Sequence, residues 1–289
     1  MPELPELEVV KEVLQAYIVS QTITEVEVCR PLVLRDLTGG GFAAGLTGHS
    51  ITSVARRGKF LLCELSGDRS LAINLMLSGR LQLCSPETRR LPYTQVILRL
   101  SGGPSAEFVP SEAEGLRTGQ ELRYADRRNM GKLYLTDDLA LITGWAEMGP
   151  DALAPSLTLE RFRERLRRHR GEIKGILINA RFVTGIGNAY ADEICFHAGI
   201  YPFRKRPTLS PEEIERLYEA MRSTLIEAIV QVRQRMGVDI HTKPRDFLAV
   251  HGKGGQPCPR CGASISEIKA RRRLTNFCRR CQPGSLIAR

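Results

Sequence analysis

The chain has 289 residues, enough for one large domain or two ordinary ones with a substantial buried core. Its 42% hydrophobic and 26% charged residues describe a soluble globular protein, and no apolar run approaches the ~18 residues needed to cross a membrane. Forty-two basic against 32 acidic side chains leave a net charge of +10. That sign favours polyanionic partners, nucleic acid first, over a membrane surface, because no strongly amphipathic basic helix stands out.

The chain opens Met1-Pro2-Glu3-Leu4-Pro5-Glu6-Leu7-Glu8. No secretory pattern of basic, apolar and small-residue regions is present, so a cytoplasmic protein is expected, nucleoid-associated if its polyanionic partner is DNA. Proline at position 2 favours trimming of Met1, which would leave a terminal secondary amine. Such an amine titrates near pH ~8 and condenses with aldehydes to an iminium ion, with Glu3 beside it to move protons. The same residues also read as a helix entry, with Pro2 and Pro5 fixing the first turn and the glutamates capping its positive end. Both readings stand on these residues alone.

Val9, Val10, Val13, Leu14 and Tyr17 recur at helical spacing and predict a helix from about Pro5. Strand-like alternation follows in Thr24–Arg30, Ile51–Arg57, Phe60–Leu65, Leu71–Leu77, Gln95–Leu100 and Glu121–Tyr124, separated by Gly/Ser/Asp turns. Short strands at near-regular spacing predict a sandwich or barrel. Ser101–Gln120 reads as a long solvent loop. The pattern changes near Trp145–Pro150, after which helices are predicted over Leu159–His169, Glu172–Ile178, Ala189–Ala198 and Pro211–Arg235. The last has Ser210 before its proline and Glu213 three residues on, a capping-box start. The expected division is an N-terminal domain over 1–135, a linker over 136–150, a helical domain over 151–250 and a cysteine-rich module over 251–289.

Of eight cysteines, Cys29, Cys63, Cys84 and Cys195 stand singly in apolar surroundings and read as buried thiols. The other four form Cys258-Pro-Arg-Cys261 and Cys278-Arg-Arg-Cys281, sixteen residues apart. This spacing suits four thiolates around one Zn²⁺, with no position left for water, so the metal is expected to be structural. Lys269, Arg271, Arg272, Arg273, Arg279 and Arg280 crowd the same module. They read either as a solvated basic face or as phosphate contacts. Upstream, Gly185-Ile-Gly187-Asn188 joins two helical stretches. It is either a packing turn or a set of helix-start amides suited to a phosphate, with Asn188 adding its side chain.

Pro2-Glu3-Leu4-Pro5-Glu6, Gly185-Ile-Gly187-Asn188 and the terminal four-cysteine ribbon, in this order, resemble the formamidopyrimidine-DNA glycosylase/endonuclease VIII family across nearly the whole chain. The opening pentapeptide is closer to the formamidopyrimidine branch. The resemblance implies an α+β multidomain protein: an N-terminal β-sandwich with a flanking helix, a helix–two-turn–helix domain and a zinc finger. It implies a monomer acting on damaged double-stranded DNA in base-excision repair, with glycosylase and lyase chemistry. It also implies roles for single residues. Pro2 is the nucleophile at C1′ of an extruded nucleotide, Glu3 the acid, and Glu6 a carboxylate ordering the site. Lys59 contacts phosphate beside the lesion. Lys174, Asn188 and Tyr190 bind phosphate or support its binding, and Arg273 is the finger's phosphate contact. Leu77, Arg128 and Met130 stand where the branch that removes 8-oxoguanine places Met, Arg and Phe into the gap left by the base.

Three departures follow. The aromatic of that trio is missing. The stretch Met236–His251 is too short for the extended loop covering a flipped purine in that branch, which predicts weak action on 8-oxoguanine. Ser101–Gln120 is longer than the corresponding turn. An endonuclease VIII-like preference for oxidised pyrimidines or abasic sites, and a non-catalytic zinc-ribbon DNA binder, are the alternatives. Only the enzyme needs Pro2 and Glu3.

Overall fold

The computed structural model describes residues 1–101, 120–270 and 273–284. By contacts the chain divides into two compact units, Met1–Ala146 with Val232–Pro244, and Glu147–Gln231 with Arg245–Arg289. Most of the long-loop stretch Ser101–Gln120, together with residues 271 and 272, lies outside the described residues.

The first unit begins with α1 (Leu4–Ile18), whose Leu4, Leu7, Val10, Leu14 and Ile18 form one buried stripe. The stripe packs on the strands β3 (Ile51–Arg57) and β4 (Phe60–Leu65). Two sheets follow from the alternating segments. One orders β1 (Ile23–Val28), β7 (Thr94–Leu100), β8 (Gln120–Asp126) and β6 (Gly79–Cys84). The other orders β2 (Leu34–Asp36), β9 (Lys132–Thr136), β5 (Arg69–Asn74), β4 and β3. Leu61, Cys63, Ile73, Leu81, Ile97, Leu122, Tyr124 and Leu133 belong to the core these sheets build.

Two local expectations change. Leu71–Leu77 does not continue as a strand, because β5 ends at Asn74, whose Oδ1 accepts the Met76 amide at 3.1 Å and turns the chain. Cys29 is exposed rather than buried, since it lies just past the end of the edge strand β1. The strands β2, β6 and β9 escaped the periodicity reading. β2 has three residues and is defined by parallel pairing with β9, roughly a hundred positions away in the chain.

The second unit contains α2 (Leu159–Arg167), α3 (Ile173–Leu177) and α4 (Asn188–His197). Most of α5 (Pro211–Met236) also belongs to it. Ser210 and Glu213 close the expected capping box, with Ser210 N donating to Glu213 Oε2 at 2.9 Å and Glu213 N to Ser210 Oγ at 3.3 Å. Phe162 of α2 packs edge-on against Phe182, with ring centroids 5.3 Å apart, and is tilted against Tyr218 of α5. The tail forms the hairpin β10 (Ser266–Ala270) and β11 (Arg273–Phe277). The last turn of α5 counts with the first unit, where Arg233 forks onto Glu12 of α1 through two 2.9 Å hydrogen bonds.

Candidate active site and nucleic-acid interface

The helix-cap reading of the terminus is correct, and it does not exclude the chemical one. Glu3 is the N-cap of α1 and forms a capping box with Glu6: the Glu3 amide donates to Glu6 Oε2 at 2.9 Å, and the Glu3 side chain accepts from the Glu6 amide. Pro2, Glu3 and Glu6 are all buried, so the cap holds the start of the chain in one place.

One step along α1, Glu8 joins the helix to the β3–β4 hairpin. Arg56 Nε donates to Glu8 Oε2 at 2.7 Å, and Lys11 pairs with the other oxygen. Burial alone would raise this carboxyl, but the bonds from Lys11 and Arg56 outweigh it and hold the group below the usual Glu range. Arg56 Nη1 also donates to Gly58 O at 2.9 Å, tying down the two-residue tip Gly58-Lys59. A positive φ is needed at the first tip position only, which glycine supplies at +58°. Lys59 is thereby presented from a hairpin anchored to α1. Trp145 closes the hairpin's other side, with the Arg57 guanidinium 4.5 Å from its ring centroid and Phe60 edge-on at 5.4 Å.

Leu77, Arg128 and Met130 sit on two neighbouring loops of the same unit, the turn Leu75–Ser78 and the segment Arg127–Gly131 between β8 and β9. Leu77 is 44% exposed, Arg128 is exposed and Met130 half-buried.

In the second unit, Lys174 of α3 and Asn188 of α4 converge on one acceptor, the Leu274 carbonyl, at 2.7 Å and 2.6 Å. Arg273, the residue before it, is exposed. Lys174 also donates to Thr275 Oγ1 at 2.9 Å and pairs with Asp192 at 2.7 Å. Lys174 and Arg273 line a cavity of about 630 Å³ together with His169, Lys205 and Thr275. Tyr190 is fully buried and the turn Gly185–Gly187 is buried too, which fits the packing-turn alternative rather than the alternative of amides open to a phosphate. Lys174 and Asn188 thus fasten β11 to α3 and α4.

Sequence reasoning missed the two acids that follow Tyr190. Asp192 Oδ2 accepts from Asn276 N at 3.1 Å and faces His251 Nδ1 at 2.7 Å. Glu193 accepts the backbone amides of Ala249, Val250 and His251 at 2.7 to 3.0 Å. Both carboxylates are buried. The available signal was two adjacent acids inside an otherwise apolar helix, which demands buried partners.

The four cysteines meet as expected. Their sulfurs lie within 4.8 Å of one another, with Cys258 Sγ to Cys281 Sγ at 3.8 Å and Cys261 Sγ to Cys278 Sγ at 3.4 Å. Tetrahedral thiolate ligation at Zn–S ≈ 2.3 Å requires sulfurs about 3.8 Å apart, so the donor set fits Zn²⁺ with every position filled by sulfur. Phe196, Val250, Ile265, Cys258 and Cys278 form the apolar cluster around it, and Arg260 lies 4.5 Å over the Phe196 ring. Gln282 fastens the second knuckle, accepting from Cys278 N and donating to Ile200 O, both at 2.9 Å.

A β-sheet unit opening on a buried Pro-Glu, a helical unit and a basic four-cysteine finger together define a zinc-finger protein built for nucleic acid. The comparisons with known proteins narrow this. Residues 1–133 match the formamidopyrimidine-DNA glycosylase N-terminal domain, 148–238 the formamidopyrimidine-DNA glycosylase H2TH domain, and 255–284 the zinc finger found in FPG and IleRS. The formamidopyrimidine-DNA glycosylase of Pelotomaculum thermopropionicum is 37% identical, covering 98% of this chain and 99% of its own. That of Symbiobacterium thermophilum is 36% identical, covering 98% and 90%. The Lactococcus lactis FPG complexed with FAPY-dG-containing DNA superposes with a TM-score of 0.81 at 32% identity, covering 98% of this chain and all of that one. The same protein bound to abasic-site DNA gives 0.81 at 31% identity over the same shares. The chain belongs to the formamidopyrimidine-DNA glycosylase family, and its four cysteines form a structural zinc site.

Proposed function

We infer that this protein is a bifunctional DNA glycosylase and abasic-site lyase of base-excision repair, acting as a monomer on damaged duplex DNA and excising formamidopyrimidines and related oxidised bases. The observation that carries the reading is the buried Pro2-Glu3 pair, fixed by the cap of α1, in a chain that matches the family along its whole length.

After loss of Met1, the Pro2 nitrogen attacks C1′ of the extruded nucleotide and Glu3 supplies the proton that assists departure of the base or opening of the sugar. The resulting iminium acidifies the C2′ protons. Loss of one expels the 3′ phosphate, and a second elimination expels the 5′ phosphate, before water releases the sugar fragment and restores the amine. Glu6 holds Glu3 through the capping box, and Lys59 neutralises phosphate beside the lesion. Arg273 contacts the backbone from the finger, with Lys174, Asn188 and Tyr190 supporting its hairpin. Leu77, Arg128 and Met130 fill the space the base leaves. The matched segments support a division into a catalytic module over 1–135, a linker over 136–150, a helical DNA-binding module over 151–250 and a finger over 251–289. A DNA-bound, nucleoid-associated location in the cytoplasm follows from this activity. Among the described residues no helix is long and apolar enough to cross a membrane.

The test is a panel of duplexes carrying a formamidopyrimidine, 8-oxoguanine, an oxidised pyrimidine or an abasic site, each treated with borohydride. A trapped covalent adduct on the abasic and formamidopyrimidine duplexes is expected. Binding with no adduct on any of them would leave the non-catalytic zinc-ribbon reading instead.

A further inference from the structure

The two loops carrying Leu77 and the Arg128–Met130 segment are closed on a single carboxylate. Asp126, the last residue of β8, is 1% exposed. Its Oδ2 accepts from the Gly131 amide at 2.8 Å and the Tyr124 hydroxyl at 3.1 Å. Its Oδ1 accepts from the Arg128 amide at 3.0 Å and from the Ser78 hydroxyl of the other loop. Gln95, fully buried, reaches the same loop from β7, donating to Asp126 O at 2.8 Å and to Asn129 Oδ1.

The Tyr124 hydroxyl lies at the closest approach of the loops. A Cβ added at Gly79 would lie 2.7 Å from it, and one added at Gly131 would fall inside it. Only glycines permit this junction. Burial would raise the Asp126 carboxyl, but the bonds from Ser78, Gly131, Arg128 and Tyr124 outweigh it and hold the group below the usual Asp range. It is therefore an ionised acceptor meeting four donors.

We propose that Asp126 is a positioning residue that locks the Leu77 turn and the Arg128–Met130 loop into one preformed wedge, so that the apolar tips and the guanidinium enter the DNA stack together. The inference rests on the glycosylase reading. Forcing a base out of a duplex costs a few kcal/mol in unstacking and unpairing. A loop already ordered adds no ordering cost of its own at insertion. Here the ordering is supplied by charge-assisted bonds from a residue that does not itself reach the surface.

The test compares wild type, Asp126→Asn and Ser78→Ala on two substrates: a duplex carrying a formamidopyrimidine opposite cytosine, and a single-stranded oligonucleotide carrying an abasic site, which needs no base extrusion. Excision from the duplex should fall roughly tenfold or more in Asp126→Asn and less in Ser78→Ala. Borohydride trapping on the single strand should stay within about twofold of wild type for both. A 2-aminopurine placed beside the lesion should lose its insertion-linked fluorescence rise in parallel with the duplex rate. Undiminished duplex excision in both variants overturns the proposal. So does an equal loss on both substrates, which would mark Asp126 as merely structural. A wild-type chain that is trapped on neither substrate refutes the glycosylase reading itself.

Discussion

Glu3 and Glu6 each satisfy a backbone amide of the other, and this reciprocity fixes the first residues of the chain at a stable helix start. Removing Glu6 breaks the box from the side that touches no reacting atom. Glu6→Ala should therefore cost about 1 kcal/mol of stability by urea titration, and should loosen Glu3 as well. Pro2→Gly keeps an amine but loses the rigid secondary one. Strand cleavage at abasic sites should drop by at least roughly tenfold while duplex affinity holds. Undiminished cleavage would refute the nucleophile assignment. Asp126 carries a pH signature of definite sign. Its folded pKa is lowered, so its contribution to stability is full above the unfolded value near ~3.9 and is lost as pH falls through the folded value. The stability gap between wild type and Asp126→Asn should accordingly be flat from about pH 5 to 8 and shrink below about pH 4. A gap that instead narrows toward neutral pH would contradict the ionised-acceptor geometry.

At the scale of elements, the finger hairpin is held by α3 and α4 as much as by metal. Lys174 and Asn188 both bond the Leu274 carbonyl, and Asp192 binds the next strand residue but one, Asn276. Arg273 is the exposed product of that arrangement. Arg273→Ala should weaken binding to all duplexes alike and reduce the slope of log affinity against log salt by about 1. An unchanged slope would argue against phosphate contact. Asp192→Ala leaves Lys174 buried without its charge partner, a loss of about 3–5 kcal/mol for pairs of this kind. Its measurable consequence is a lowered unfolding midpoint with Pro2 chemistry retained on single-stranded abasic DNA at low temperature.

For the molecule as a whole, the metal and the net charge set the conditions of activity. Chelation should release the four thiolates and unfold the tail, seen as loss of the hairpin's circular-dichroism contribution and a large fall in DNA affinity. Retained affinity after zinc removal would count against a structural role in binding. We propose that the short Met236–His251 stretch lacks the extended cover over a flipped purine. Formamidopyrimidine duplexes should therefore be cut roughly tenfold or more faster than 8-oxoguanine·cytosine duplexes. Equal rates would refute this selectivity.

Much of this was legible in the residues themselves. The capped start of α1, the β3–β4 hairpin, the start of α5 and the zinc ligands each depend on spacings of a few residues, and short-range spacing is written directly into sequence. The Cys-x-x-Cys pairs carry their geometry with them, so the finger needed no fold to be recognised. The rest depends on partners that are distant in the chain and meet only when it folds. Ser78 reaches Asp126 across 48 positions and Lys174 reaches Leu274 across 100, and neither pairing leaves a local pattern. Cys29 reads as a buried thiol, yet its place just beyond an edge strand, with Arg30 next to it, exposes it. Buried carboxylates such as Asp126, Asp192 and Glu193 are legible only as anomalies in sequence, because a charge can be buried only where tertiary structure brings its donors. The capped start of α1 was thus legible in the first eight residues, whereas the joining of the Leu77 turn to the Arg128–Met130 loop was decided by tertiary contacts alone.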